Sequence, residues 1–270
     1  IDNGGRNQQN LSFIKKLLTK FDHLKELTSK ITYLPPKKLI TNNRKDILYR
    51  LDFLNETIKK KISLLGGTGD LGTGLASRLL NSGYEVIIGS RTLEKAKQSE
   101  QTLGANAEGM LNKDAASHGE IVILTVPFAH QRNIVEECKL ELSGKLFIDT
   151  TVPLMPPKVA TVQLPEAGSA AQISQNILGD EVRVVSAFQN ISAELLQGNH
   201  KIDCDVLVCG NKKESREEVI DLINSIGMKG WHAGMLANSA AVEAMTSVLI
   251  SINKHHSISH SGIKVTGLKD

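Results

Sequence analysis

From Lys61 onward the chain alternates short apolar runs with stretches of helical periodicity. The apolar runs are of strand length and occur at Ile62–Leu65, Val86–Ile88, Ile121–Val126, Leu146–Ile148, Val182–Phe188 and Val206–Cys209. Between most of them, apolar residues recur at three- and four-residue steps, predicting helices over about 71–82, 92–103, 130–138, 169–178, 213–226 and 236–253. Strands rich in Val, Ile and Leu on both faces, separated by helices, belong to a mainly parallel sheet covered on both sides. The expected fold class is therefore α/β, with no internal repeat and no low-complexity tract.

Residues 1–60 follow a different rule. Leu11, Ile14, Leu18, Phe21, Leu24, Leu27 and Ile31 form one helical stripe, and Pro35-Pro36 interrupts it. Ile47, Leu48, Leu51, Leu54 and Ile58 begin a second. This segment holds 13 Lys and Arg against 6 Asp and Glu, whereas the remainder holds 19 against 23. A basic arm can serve nucleic acid or a membrane surface. Here no aromatic residues interleave the lysines for base stacking, so a helical N-terminal extension with no nucleic-acid partner is expected.

Composition narrows the class further. A content of 40% hydrophobic and 23% charged residues is ordinary globular usage. No run approaches the length of a membrane span, and the N-terminus lacks an export signal. The three cysteines, Cys138, Cys204 and Cys209, form no C-x-x-C pair. A soluble, cytoplasmic protein with no membrane partner is expected. Since the chain starts at Ile1, it reads as a fragment or a processed product.

The strand at Ile62–Leu65 runs into Gly67-Thr68-Gly69-Asp70-Leu71-Gly72, a G-x-G-x-x-G turn. In a dinucleotide-binding turn Gly67 permits the bend, Gly69 lets the backbone approach pyrophosphate, and Gly72 lets helix pack on strand. The following helix offers its free N–H groups and positive dipole end to the phosphates. Leu71, Leu75 and Leu79 give that helix an apolar face, and Gly83 ends it. This context favours a Rossmann-type, doubly wound fold over an ordinary glycine turn.

The next strand ends at Ser90-Arg91, with Lys95 one turn later. An NAD-binding turn normally carries Asp or Glu here for the ribose 2′-hydroxyl. A hydroxyl, a guanidinium and an ammonium suit a 2′-phosphate instead, so NADP is the favoured cofactor. The competing reading makes Arg91 and Lys95 solvated helix-start residues. Farther along, Thr125-Val126-Pro127-Phe128-Ala129-His130 should sit over the cofactor at the carboxyl ends of the strands. Phe128 can cover a ring; His130 is either a cofactor contact or a polar helix start.

Taken together, Leu64-Leu65-Gly66-Gly67-Thr68-Gly69-Asp70-Leu71-Gly72, Gly89-Ser90-Arg91 with Lys95, Leu124-Thr125-Val126-Pro127, Val185-Ser186-Ala187 and Leu236-Ala237-Asn238-Ser239 resemble the NADPH-dependent reductases of coenzyme F420. The resemblance covers about 61–268, and the N-terminal domains of metalloreductases share its first elements. It implies NADP contacts at Thr68, Gly69, Asp70, Leu71, Ser90, Arg91 and Lys95, with Phe128, His130, Leu154 and Ala193 beside them. It further implies that coenzyme F420, the second substrate, lies against Ala187-Phe188-Gln189-Asn190-Ile191-Ser192-Ala193. In that segment the sequence departs from the family, placing Gln189 where a His is expected and Ser192 where a Pro is expected.

The expected organisation is an extension over 1–60, an NADP-binding part over 61–192, and a smaller C-terminal part over 193–270 completing the acceptor site. Hydride transfer between two ring cofactors needs little side-chain chemistry, and no catalytic side chain or metal site is expected. His255, His256 and His260 read as a solvated helix end, Cys204 and Cys209 as structural, and Trp231 as packing on the last strand. The expected partners are small-molecule substrates, with self-association left open. Two other functions stay open: reduction of another acceptor, a flavin or ferric chelate, and non-catalytic sensing of NADPH.

Overall fold

The computed structural model describes residues 60–198 and 200–267. The helices expected within 1–59 lie outside the described residues. Residues Lys59–Asp270 form one compact unit, built on an eight-stranded sheet of order β3-β2-β1-β4-β5-β6-β7-β8. The strands are β1 (Ile62–Leu65), β2 (Val86–Ser90), β3 (Ala107–Leu111), β4 (Ile121–Leu124), β5 (Leu146–Asp149), β6 (Arg183–Ser186), β7 (Asp205–Gly210) and β8 (Lys229–Gly234). The helices are α1 (Asp70–Asn81), α2 (Leu93–Leu103), α3 (Asn112–His118), α4 (Phe128–Glu137), α5 (Ala170–Leu178), α6 (Ala193–Leu196), α7 (Lys213–Ser225) and α8 (Ser239–His256).

Strands β1 to β6 are parallel, in a register that sets Ile62 beside both Val86 and Ile121. Alternate residues point to opposite faces, and two cores result. Ile62, Leu64 and Ile88 pack with Leu75 and Leu79 of α1 and with Val219 and Ile223 of α7. Leu65, Ile87 and Val122 pack with Ala115 of α3, Ile134 and Val135 of α4, and Ala171 of α5. The parallel sheet covered on both faces is as the sequence predicts.

Strand β7 reverses direction. It meets β6 through Val185 opposite Gly210 and Ser186 opposite Cys209, while β8 runs parallel to β7. The antiparallel register carries the first half of β7 beyond the end of β6, where Asp205 joins the C-terminal segment. Asp205 N–H donates to Ile263 O at 2.7 Å, and its carboxylate accepts from Val265 N and from Trp231 Nε1, each at 2.8 Å. One sheet thus runs through the 192/193 position. Cys138, Cys204 and Cys209 are all free and buried. Among the described residues no helix is long and apolar enough to cross a membrane.

Four elements lie outside the predicted list: the edge strand β3, the short helices α3 and α6, and the outer strand β8. The last predicted helix begins as a 3-10 turn over Leu236–Asn238 and continues as α8 to His256.

Candidate functional site

The order in which successive strands are added to the sheet reverses between β1 and β4, which are parallel neighbours although β2 and β3 lie between them in sequence. Such a switch point opens a crevice at the carboxyl ends of the strands, where α/β proteins bind ligands. The glycine turn fills this place. Gly67 N–H donates to Leu64 O at 3.1 Å and to Gly89 O at 2.9 Å, and Gly66 N–H donates to the Asn112 side-chain oxygen at 3.0 Å. A Cβ on Gly67 would lie 2.8 Å from Leu64 O, and one on Gly72 would lie 2.6 Å from Gly67 Cα. Both glycines are therefore required by close backbone packing.

Gly69 differs. A Cβ there would meet only Gly66 O, at 3.7 Å, so the fold itself does not demand glycine. The residue precedes α1, whose first turn has no side-chain cap among the described residues. Its uncapped N–H groups and dipole make a cradle for an anion. Gln197 Nε2 donates to Asp70 O at 2.9 Å, tying this first turn to the segment after α6. Buried Arg78 reinforces that junction by donating to Leu196 O at 3.0 Å and Leu195 O at 3.1 Å.

The other predicted contacts lie along the same edge. Ser90 is buried at the end of β2, where its hydroxyl accepts from Thr92 N at 3.4 Å; Arg91 and Lys95 are exposed just beyond. Thr68 and Leu71 are half-buried, and Asp70 is exposed. Half-buried Phe128 opens α4 with exposed His130 two residues on. Leu154 follows β5, and Ala193 begins α6 after β6; both are half-buried.

Buried polar residues that sequence patterning does not reveal hold this edge together. The Asp149 carboxylate ends β5 with no exposure. It accepts from Gln131 Nε2 at 2.7 Å, Ser174 Oγ at 2.6 Å and Thr151 N at 2.8 Å. Burial raises its pKa, with these donors opposing the shift. Glu243 of α8 accepts from Ala170 N at 2.6 Å and Ala171 N at 3.1 Å, thereby capping α5. Burial pushes its carboxyl up to about 8, against the pull of those two donors. Gln189 Nε2 donates to Asp149 O at 2.8 Å, and Thr246 Oγ1 donates to Gln189 O at 2.9 Å.

Beside these residues lies a cavity of about 370 Å³, lined among others by Gln189, Ser192, Thr246, Leu249, Asn253 and His260. His255 and His256 are exposed at the end of α8, as expected. His260 is not at the helix end; it lies on this cavity wall, half-buried. Among the described residues no group of His, Cys, Asp and Glu is arranged to hold a metal ion.

A mainly parallel sheet, a glycine cradle at its switch point and basic groups after β2 define a dinucleotide-binding protein of the Rossmann class. Comparison with known proteins narrows this. The family described as "NADP oxidoreductase coenzyme F420-dependent" matches residues 61–153. An F420-dependent NADP reductase from Methanocaldococcus jannaschii is 40% identical over 223 residues, 77% of this chain and 99% of that one. One from Methanothermobacter marburgensis is 38% identical over 224 residues, 78% of this chain and 100% of that one. The chain belongs to the family of F420-dependent NADP reductases. A putative F420-dependent NADP-reductase from Arthrobacter sp. FB24 shares the fold, with a TM-score of 0.68 at 23% identity over 77% of this chain and 100% of that one.

Proposed function

We propose that this protein transfers a hydride between NADP(H) and the deazaflavin coenzyme F420. The observation that carries the reading is its identity of 36–40% to three F420-dependent NADP reductases over 96–100% of their length. The cradle at Gly69, open to a ligand and uncapped at α1, fits the pyrophosphate of NADP.

In this reading Thr68, Gly69, Asp70 and Leu71 present backbone to the pyrophosphate, with Gly67 and Gly72 shaping the turn. Ser90, Arg91 and Lys95 hold the 2′-phosphate through charge-assisted hydrogen bonds. Phe128, His130, Leu154 and Ala193 line the way to the nicotinamide. The two cofactors supply the redox chemistry; the chain binds them, sets their rings together and keeps water away. Residues 61–192 act as the NADP-binding part and 193–270 complete the acceptor site. The protein works in the cytoplasm on small molecules. Self-association belongs to the same proposal, supported by Val248 and Ile252, exposed at 47% and 37% on α8.

Gln189 and Ser192, which replace the residues the resemblance leads one to expect, favour a second reading in which the acceptor is a flavin or a ferric chelate. Anaerobic oxidation of NADPH with F420, FMN, FAD and ferric chelates in turn separates the two. Fast turnover with F420 alone is expected. Binding of NADPH without turnover on any acceptor would leave the chain a sensor.

A further inference from the structure

Among the described residues, three that are not glycine hold a positive φ: Phe188 at 72°, Ser257 at 50° and His260 at 62°. Ser257 is the C-cap of α8, an ordinary place for a left-handed residue. Phe188 and His260 have no such excuse, and side chains of their size adopt this conformation only where the surroundings impose it. Phe188 leads directly into the cavity wall at Gln189, and His260 is part of that wall.

The tail carrying His260 is fastened on both sides, beginning with Ile258 N–H, which donates to Asn253 O at 3.1 Å. Ser261 N–H donates to Asn253 Oδ1 at 3.2 Å and its hydroxyl to Leu249 O at 3.2 Å; farther on, Ile263 O accepts from Asp205. The imidazole is fastened as well. Its Nδ1 lies 2.9 Å from Ser192 Oγ and its Nε2 lies 3.0 Å from Glu194 Oε2. A carboxylate at Nε2 makes that nitrogen the donor, so Nδ1 accepts from the hydroxyl while the ring is neutral and donates to it when protonated. The ring can hold or release a proton without moving. At the same wall, Gln189 Oε1 is a buried acceptor with no partner among the described residues, since its amide nitrogen is committed to Asp149 O.

Resting on the reading above, we propose that His260 holds the proton consumed when the acceptor is reduced, with Ser192 and Glu194 positioning its ring. Reduction breaks the nicotinamide C4–H bond and forms a C–H bond on the acceptor ring, so NADPH is oxidised and the acceptor gains an electron pair and a hydrogen. The electron pair displaced onto an acceptor ring nitrogen takes one proton, which the imidazolium gives. Solvent returns it through the exposed edge of the side chain, 32% accessible. Among the described residues, the charged group paired with His260 is Glu194 of α6. Asn253, Ser259 and Ser261 around it are neutral, and Lys254, His255 and His256 are exposed at the end of α8.

The test uses the full chain under anaerobic conditions with NADPH and F420. Histidine-ring NMR of the wild type is recorded with and without F420, the His260 signal being assigned by its loss in His260→Gln and by sequential spectra. That signal is expected to shift on adding F420. His260→Gln is expected to bind NADPH within about twofold of wild type, yet lose roughly 10–100-fold in kcat at the acid end of the pH profile, where wild type holds the imidazolium, so that the two profiles converge as pH rises. Ser192→Ala should displace the inflection with a smaller loss. An active wild type whose His260 signal ignores F420, or a His260→Gln protein with an unchanged pH profile, overturns the proposal alone. If His260→Gln does not fold, the wild-type NMR response decides by itself. A wild type that oxidises NADPH no faster with F420 than without it overturns the functional reading and this proposal with it.

Discussion

In the function proposed above, Arg91 belongs to the part of the candidate site that would choose the dinucleotide and Gly69 to the part that would admit it. Arg91 is exposed beyond β2, and the fold makes no structural use of its charge among the described residues. Arg91→Ala should therefore leave stability untouched while weakening NADPH by roughly 10–100-fold, equivalent to about 1.5–3 kcal/mol. NADH, lacking the 2′-phosphate, should be nearly unaffected. Titrating both dinucleotides against both proteins checks this, and an equal loss for the two would remove Arg91 from the phosphate site. Gly69→Val is predicted to fold normally, given the 3.7 Å clearance of a Cβ there. It should nonetheless lose NADPH binding, because the branched side chain fills the approach to the pyrophosphate. Circular dichroism and a binding titration together give the answer. The glycine turn was legible because its chemistry is local: spacing alone places each backbone approach. Asn112, Asp149, Glu243 and the seat of His260 were not. Each depends on partners dozens of residues away, such as Ser192 for His260.

At the scale of elements, the apolar strands at the centre of the sheet announce themselves by burial on both faces. The edge strand β3 reads Ala-Glu-Gly-Met-Leu, with Glu108 and Leu111 exposed, so it carries no apolar run to find. Strand β8 is likewise mostly polar and half-exposed, while α3 is seven residues long and packs with alanines rather than with a leucine stripe. The junction of α5 with α8 was hidden for another reason: nothing in the sequence near Glu243 signals a carboxyl buried against a helix start. That junction has a measurable signature. Glu243 rises from an ordinary 4.5 to about 8 in the folded chain, so the native state keeps a proton that the unfolded state has already released. The stabilisation is complete below the unfolded value and is lost as pH climbs from 4.5 towards 8. Asp149, also raised by burial, acts in the same direction. The thermal midpoint should fall between pH 6 and pH 8.5 by roughly 5 °C. Glu243→Gln, which cannot ionise, should flatten that slope while lowering the midpoint throughout, since it offers one acceptor oxygen to two N–H donors. An undiminished slope would place the titration elsewhere.

For the molecule as a whole, the reversal at β7 matters more than the strand count. The first six strands direct their carboxyl ends toward the candidate dinucleotide site, while β7 and the tail clasped to Asp205 bring Ser192, Thr246 and His260 to one cavity beside them. Sequence periodicity located the runs that form β6 and β7 but not this join. The interior holds a further property. Burial lifts the Cys138 thiol to about 12 and raises Cys204 and Cys209 as well, and the thiolate is the form that reacts. A chromogenic disulfide reagent should consequently find almost nothing to react with in the native protein at pH 8, and three equivalents once denaturant opens the core. The colour that develops over time then counts molecules as they unfold, without any probe being attached. It also leaves the surface chemically silent, so a substitution such as Glu217→Cys on α7 would place one dye at one known position and nowhere else.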